Sequence, residues 1–287
     1  MKFSIVIPNY NGILLLKQYF ASIYSYAHHN NIHDIIVVDD CSSDDSVAYI
    51  QSNFPNTKII SNRKNLGFGE TCNIGVKASS GDYVFLFNTD IEIRDLDLAL
   101  IQSYIIKNNF FAITFKSLYE DKKTFREGAK QFRIKTGLPF VHHNPKQQKK
   151  DDKGNWISIY AVGGHCIVHK EKFLALNGFL DIYSPFYWED MDIGYRAHKK
   201  GWITYYDENL IVIHNCHSTI KTSFQKKYIN FIKLRNRILF MLNNYSPGER
   251  LYKFYPGMII RSIENTIKCD FSFFAAWRAA TRIFRSL

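Results

Sequence analysis

The chain has 287 residues, 46% hydrophobic and 16% aromatic, with a formal net charge of +11. That size and composition exclude a disordered or fibrous chain and describe a globular protein, either one α/β domain with an appendage or two domains. Five scattered cysteines, none in a CxxC pair, exclude a disulfide framework and a structural zinc site and point to a reducing compartment.

The N-terminus runs directly into Phe3 to Ile7 with no charged segment before an apolar one, so no secretory leader is expected. Ser4 to Ile7 reads as a short apolar strand, and Pro8-Asn9-Tyr10-Asn11-Gly12 is the turn that ends it. Leu14 to Tyr26 has helical spacing, with Leu15, Tyr19, Ile23 and Tyr26 on one face. Ile35 to Val38 is a second buried strand. It ends in Asp39-Asp40-Cys41-Ser42, part of a polar run that caps a helix over Val47 to Phe54. Lys58 to Ser61 is a third strand, Asn62 to Gly69 a polar glycine loop, and Glu70 to Ala78 a helix. Tyr83 to Phe87 is the fourth strand and runs into Asn88-Thr89-Asp90. This alternation predicts a parallel sheet with helices on both faces. Ligands bind such sheets beyond the carboxyl ends of the strands, so Asp90 stands where a metal or its phosphate ligands would be held. Taken alone, an Asp after a strand more often opens a turn or caps a helix.

Leu98 to Lys107 is expected as a helix and Ala112 to Phe115 as a strand. Residues 119–155 are polar and basic and read as a long surface loop or small excursion, with an acceptor-binding flap as the functional alternative. Ile157 to Val168 is apolar apart from Gly163-Gly164-His165. Phe186 to Asp192 opens a helix that Gly201 ends, with Lys199 and Lys200 in its last turn. Ile203 to Tyr206 and Leu210 to Ile213 are two further strands, the second ending at His214. Phe224 to Leu242 and Gly248 to about Phe284 form two helical stretches. Residues 1–220 carry 24 Lys/Arg against 23 Asp/Glu, whereas residues 221–287 carry 13 against 3. A basic tail seeks anions, either nucleic acid or an anionic membrane face. No uninterrupted apolar stretch reaches the ~18 residues of a spanning helix.

Acidic groups cluster at Asp39/Asp40, at Asp90, and at Glu189/Asp190/Asp192. Carboxylates at strand ends suit a hard cation that bridges a diphosphate, magnesium or manganese. His214 could add an imidazole, which favours manganese; otherwise it is a surface histidine. The P-loop, the dinucleotide G-x-G-x-x-G and the G-x-S-x-G elbow are all missing from the sequence, which disfavours the enzymes they define.

Several short motifs in order give the chain a specific resemblance. They are Ser4 to Asn11, Val37 to Asp44, Asn65-Leu66-Gly67-Phe68 with Asn73-Ile74-Gly75, Asn88-Thr89-Asp90, Asn177-Gly178-Phe179, and Trp188 to Asp192 through Gly201-Trp202. His214 follows Asp190 by 24 residues, the interval expected. The chain resembles the family 2 glycosyltransferases of the GT-A fold, in the branch of rhamnosyl- and galactofuranosyl-transferases, over about residues 3–220.

The resemblance implies that Pro8, Asn9 and Tyr10 contact the nucleotide base and ribose. It makes Asp40 the acceptor for a pyrimidine ring N–H, which selects uracil or thymine over cytosine. Arg63, Asn65 and Gly67 would lie beside the diphosphate and sugar. Asn88-Thr89-Asp90 resembles the Asp-x-Asp motif with Asn in first place, so the metal contact falls to Asp90, with Asn88 and Thr89 on the donor. His214 is the implied third metal-site residue, with His217 as fallback. Asp190 resembles the general base, and Gly164, Trp188 and Glu189 would line the acceptor or sugar pocket. Helix-terminal charge compensation for Asp190 and core packing for Trp188 are the competing roles.

These features predict a metal-dependent inverting transferase using a UDP- or dTDP-sugar, Mn2+ or Mg2+, and a glycan or lipid-linked acceptor. The pathway implied is cell-surface polysaccharide synthesis. Residues 1–220 would be the GT-A domain, cytoplasmic and peripheral at the inner membrane face. The basic aromatic tail, 221–287, suits an anionic bilayer; a homodimer contact or a helical cap are the competing readings. A catalytically silent nucleotide-sugar-binding scaffold is the alternative function. Nucleic-acid binding is the least favoured, since the tail has no reader motif.

Overall fold

Strands of branched and aromatic residues buried on both faces form the centre of the molecule. The computed structural model describes residues 1–107, 109–142, 149–215 and 224–287. Strands β1 (Phe3–Asn9), β2 (Asp34–Asp39), β3 (Lys58–Ser61) and β4 (Tyr83–Phe87) lie parallel in the order β3-β2-β1-β4. Helices α1 (Ile13–His29), α2 (Ser46–Asn53) and α3 (Phe68–Ala78) connect them. The expected β-α alternation is therefore present, and it aligns the tips of β1, β2 and β4 on one edge.

After β5 (Ile91–Asp95) and α4 (Leu98–Ile105), β6 (Phe110–Leu118) returns to the sheet. Strand β7 (Phe125–Glu127) pairs with the end of β6. Strands β8 (Gln131–Lys135) and β9 (Leu138–His142) form a separate hairpin. Strands β10 (Lys149–Lys150), β11 (Trp156–Ser158) and β12 (His165–His169) follow, then α5 (Lys170–Ala175), α6 (Glu189–Lys199) and β13 (Ile203–His214). The main sheet runs β10-β11-β13-β6-β12-β4-β1-β2-β3, with β5 added on β13 and β7 on β6. Strand β12 is antiparallel to both β4 and β6, so the parallel half continues into a mixed half.

Three expectations need correction. The described residues of 119–155 carry paired strands rather than a loop. The β8–β9 turn is Thr136-Gly137, both at positive φ, as a two-residue hairpin requires. Residues 203–214 form one strand, not two. The Asp207-Glu208-Asn209 break is an irregularity in its pairing with β6, and the Asp207 side chain stays buried as acceptor for the Tyr104 hydroxyl at 2.7 Å. Finally, among the described residues the tail holds four helices: α7 (Lys226–Asn244), α8 (Pro247–Lys253), α9 (Tyr255–Ile267) and α10 (Ser272–Arg285). Helix α8 opens with a Ser246/Glu249 capping box, and a proline lies in the first turn of both α8 and α9. The Asp270 side chain accepts from the Ser272 amide at 3.0 Å and restarts the chain as α10.

The helices after residue 224 share a core with the rest. Leu138, Tyr183 and Met191 pack with Leu239, Phe254 and Met258, all essentially inaccessible. Each such side chain contributes about 1.5–3 kcal/mol by burial, so α7 and α9 are held firmly against the body. A close backbone approach locks the hairpin to α9: a Cβ on Gly257 would fall 2.1 Å from the Gly137 nitrogen.

Candidate active site

The strand tips open onto a cavity of about 750 Å³, a size that suits a nucleotide-sized ligand. Of the donor, metal, acceptor and general-base residues that the resemblance implies, all that the structure describes line it except Arg63. Arg63 is exposed outside it, and its carbonyl faces the Cys41 thiol. His217 lies outside the described residues.

At the end of β1, Pro8, Asn9 and Tyr10 form one lip. Asn9 is buried, and its Nδ2 donates to Asp39 Oδ1 at 2.8 Å. Asp39 also accepts from the Ser42 amide at 3.0 Å, so its carboxylate knits the two turns together and does not line the cavity. Asp40 is engaged too. It accepts from Asn62 Nδ2, the Leu66 amide and the Gly67 amide, each at 2.8 Å. Three of its roughly four acceptor positions thus fix the 62–67 loop, leaving about one for a ligand N–H. That loop carries Asn65 and Gly67 to the cavity, with Gly67 in the left-handed region at φ 84°.

At the end of β4, Asn88, Thr89 and Asp90 form the floor. The Asn88 amide donates to the Gly164 carbonyl at 2.9 Å. A Cβ on Gly164 would lie 2.3 Å from Asn88 Nδ2, so glycine there is what lets the Asn88 side chain sit down. His214 arrives at the end of β13, which pairs it with Ile91, and the Asn215 amide donates to the Asp90 carbonyl at 3.0 Å. This pairing brings His214 Nε2 to 3.4 Å from Asp90 Oδ1. Both side chains are buried, and neither Asp90 Oδ1 nor His214 Nδ1 has a hydrogen-bond partner.

These two residues fit a divalent cation. Bonds of about 2.1 Å to an octahedral ion put neighbouring ligands roughly 3 Å apart, close to the observed separation. Among the described residues no set of three or more His, Cys, Asp or Glu gathers around them. A cation here would therefore take its remaining ligands from Asn88, water or a diphosphate, the usual pattern for magnesium.

Behind His214 lies a polar group that the sequence did not reveal. Arg126 Nη1 donates to the His214 carbonyl at 2.5 Å. Glu127 pairs with Lys130 at 2.5 Å. Burial is the largest single influence and would raise the Glu127 carboxyl, but Lys130 and the neighbouring histidines together bring it down to about 2. His165 stands edge-on to His214 with ring centroids 5.2 Å apart, fully buried and without a hydrogen-bond partner at either nitrogen. Burial, then His214, holds its pKa well below the ordinary value and keeps the ring neutral.

The opposite wall is the start of α6. Tyr187 and Trp188 both have positive φ, 71° and 82°, an arrangement bulky residues adopt only under constraint from their surroundings. The constraint comes from α7. Asn236 is fully buried there, and its Nδ2 lies 2.8, 3.1 and 2.8 Å from the carbonyls of Tyr183, Phe186 and Tyr187. Arg235 donates to the Ser184 carbonyl beside it. The strained turn delivers Trp188, Glu189 and Asp190 to the cavity. Burial raises the pKa of both carboxyls, and Asp190 further raises Glu189. Asp190 Oδ1 accepts from the Met191 amide at 2.7 Å, whereas Glu189 Oε2 is unpartnered. Asp192, two positions on and on another face of the helix, is wholly structural. It accepts from Tyr183, Asn244 and Arg196. Phe224 and Lys233 complete the rim, and Lys233 lies over the Tyr187 ring at 4.5 Å.

A cavity at the carboxyl edge of the parallel half of the sheet is where α/β proteins bind their ligands. Residues 4–176 match the family described as "Glycosyl transferase family 2", and the chain belongs to that family. The match ends before Asp190 and His214. Among curated relatives, an uncharacterized glycosyltransferase of Haemophilus influenzae is 32% identical over 87 residues, covering 30% of this chain and 29% of its own. The poly(ribitol-phosphate) beta-N-acetylglucosaminyltransferase TarS of Staphylococcus aureus is 28% identical over 119 residues, covering 40% of this chain and 21% of its own. These alignments thus span under a third of those relatives. The low-salt glycan biosynthesis hexosyltransferase Agl10 of Haloferax volcanii is 22% identical over 255 residues, covering 82% and 74%.

Solved structures agree on the fold. TarS in complex with UDP-GlcNAc superposes with a TM-score of 0.61 at 18% identity, covering 99% of this chain and 80% of that one. GalNAc-T7 with UDP, GalNAc and Mn2+ gives 0.65 at 16% identity, covering 84% and 47%. The fold is GT-A, with a helical C-terminal region.

Proposed function

We propose that the protein is a metal-dependent inverting glycosyltransferase. It moves a hexose or deoxyhexose from a UDP- or dTDP-sugar to a glycan or lipid-linked saccharide in cell-surface polysaccharide synthesis. The observation that carries this reading is the sharing of one cavity by the unpartnered Asp90–His214 pair and the buried Asp190. The UDP and Mn2+ named for GalNAc-T7, and the UDP-GlcNAc named for TarS, support the donor class.

Asp90 and His214 would hold Mn2+ or Mg2+, which when bound neutralises charge on the departing nucleoside diphosphate. Asn9, Tyr10 and the 62–67 loop would seat the nucleotide, and Asn88 and Thr89 the phosphates and sugar. The Asp190 carboxylate takes the proton of the acceptor hydroxyl as that oxygen bonds to the anomeric carbon. The bond from that carbon to the phosphate oxygen breaks, and the electron pair leaves with the diphosphate. Attack from the face opposite the leaving group inverts the centre. The raised pKa makes Asp190 a stronger base than an ordinary carboxylate. Residues 1–220 would be the transferase domain, peripheral at the cytoplasmic membrane face, with 221–287 as an accessory to it.

The test is a thermal-shift screen with UDP, dTDP, GDP and CDP, each with and without manganese. A folded-state ligand raises the unfolding midpoint as its concentration passes its dissociation constant. Metal-dependent stabilisation by UDP or dTDP is expected, lost in Asp90→Ala. Stabilisation without transfer to any acceptor would favour a silent nucleotide-sugar-binding protein instead.

A further inference from the structure

The surface of the C-terminal helices is unlike the rest of the molecule. Helix α9 buries Gly257 and Met258 against the hairpin and core. Its other side presents Ile259, Ile260, Ile263 and Ile267 at 51–77% exposure. The patch has exposed neighbours in the adjoining chain, Leu251 and Tyr252 before it and Phe271 after it, each at 66–69%. Water alone does not explain four isoleucines in register on one helix face, and contiguous apolar surface of this kind marks a docking site.

The next helix supplies charge. Helix α10 buries Phe273, Ala276 and Ala280. Phe274, Trp277, Arg278, Arg282 and Arg285 line a surface cleft of about 550 Å³ on another side. Residues 221–287 hold 13 basic against 3 acidic residues, and Glu249, one of the three, is paired with Lys253 at 3.0 Å.

We propose that α9 and α10 dock on an anionic lipid bilayer, the isoleucine face entering the acyl boundary and the arginine cleft meeting headgroup phosphates. Charge decides between this occupant and a second copy of the chain. A face-to-face copy would set one strongly basic tail against another, whereas an anionic bilayer accepts both the apolar stripe and the cations. Among the described residues no helix is long and apolar enough to cross a membrane, which fits attachment in the plane of the interface. This docking deepens the membrane-face part of the proposed function and rests on it there; it does not use the nucleotide cavity, so vesicle binding and sugar transfer can fail separately.

The experiment is co-sedimentation of the full chain with vesicles of phosphatidylcholine alone and of phosphatidylcholine mixed with phosphatidylglycerol. The chain should pellet with the mixed vesicles, bind neutral ones at least about tenfold more weakly, and release as salt rises. The pair Ile259→Glu with Ile263→Glu should abolish binding. The triple Arg278→Gln, Arg282→Gln, Arg285→Gln should erase the preference for anionic lipid. Both sets alter exposed positions, and an unchanged thermal midpoint shows that each still folds. Failure of the folded wild type to pellet, or binding unaffected by the isoleucine pair, overturns the proposal. So does a sedimentation-equilibrium dimer that the isoleucine pair converts to monomer without any vesicle binding.

Discussion

The two lips of the cavity are built by opposite means. On the side of β1, β2 and β4, each cavity residue sits at the end of the strand that precedes it, and hydrogen bonds between neighbouring strand tips and loops fix it. Asn9 to Asp39 and Asp40 to the Leu66 and Gly67 amides are examples. On the α6 side, the cavity residues occupy a strained turn held from a helix about fifty residues away in sequence, through Asn236. The first lip needs only the sheet; the second needs the tail to be in place. On the proposed roles, the comparison predicts that donor seating and base placement can be disturbed separately.

The largest expected separation comes from Asp190→Asn. Removing a general base costs about 10²–10⁴-fold in turnover. The rate of transfer should fall by that much while metal-dependent nucleotide stabilisation stays at the wild-type level. Equal loss of both would end the division into two lips.

Asn236→Leu probes the same division from the tail. Buried carbonyls left without a donor cost about 1–3 kcal/mol, so the thermal midpoint should drop. Among molecules still folded, kcat should fall several-fold with nucleotide affinity retained, and Asn236→Gln should recover less than wild-type activity. A fall in nucleotide affinity matching that in kcat would show that α7 supports both lips alike.

The smallest effect is on stability against pH. Burial raises the carboxyl pKa values of Glu189 and Asp190. A group whose folded pKa is raised favours the fold fully below the unfolded value, roughly pH 4, and loses that contribution as pH climbs through the folded value. Glu189→Gln should therefore be more stable than wild type at neutral pH, with the gap closing below about pH 4. Thermal midpoints measured across pH check this. The acid limb of the transfer rate should lie above the ordinary carboxylate range for the same reason.

The first lip was legible in the sequence because its physics is local. Continuous apolar runs such as Val84 to Phe87, bounded by turn residues, read as central strands, and the polar residues that end them then project from the sheet edge. The second lip was legible only as a motif, Trp188-Glu189-Asp190. Nothing in a basic, aromatic tail marks Asn236 as different from a surface asparagine. Its one signal is position: it lies four residues after Ile232 and three before Leu239, on the buried stripe of α7. Arg126 and Glu127 were hidden in a stretch whose outward polarity masks short paired strands. The Thr136-Gly137 turn was the readable clue to the hairpin. Arg63 shows the opposite error, a basic residue in the right loop that is exposed and does not line the cavity.

The pairing of β5 with β13 has a consequence for how the chain matures. Asp90 and His214 are 124 positions apart, and they meet only because β13 lies against both β5 and β6. Contacts of such sequence separation carry the loop-closure cost that slows folding. The parallel strands β1 to β4 can assemble from neighbouring segments, but the cation pair cannot exist until β13 has taken its place. On the proposed role of this pair, manganese affinity would gauge the finished sheet. In refolding from denaturant, metal-dependent nucleotide binding should return with the slowest phase, after the bulk of the secondary structure is already formed.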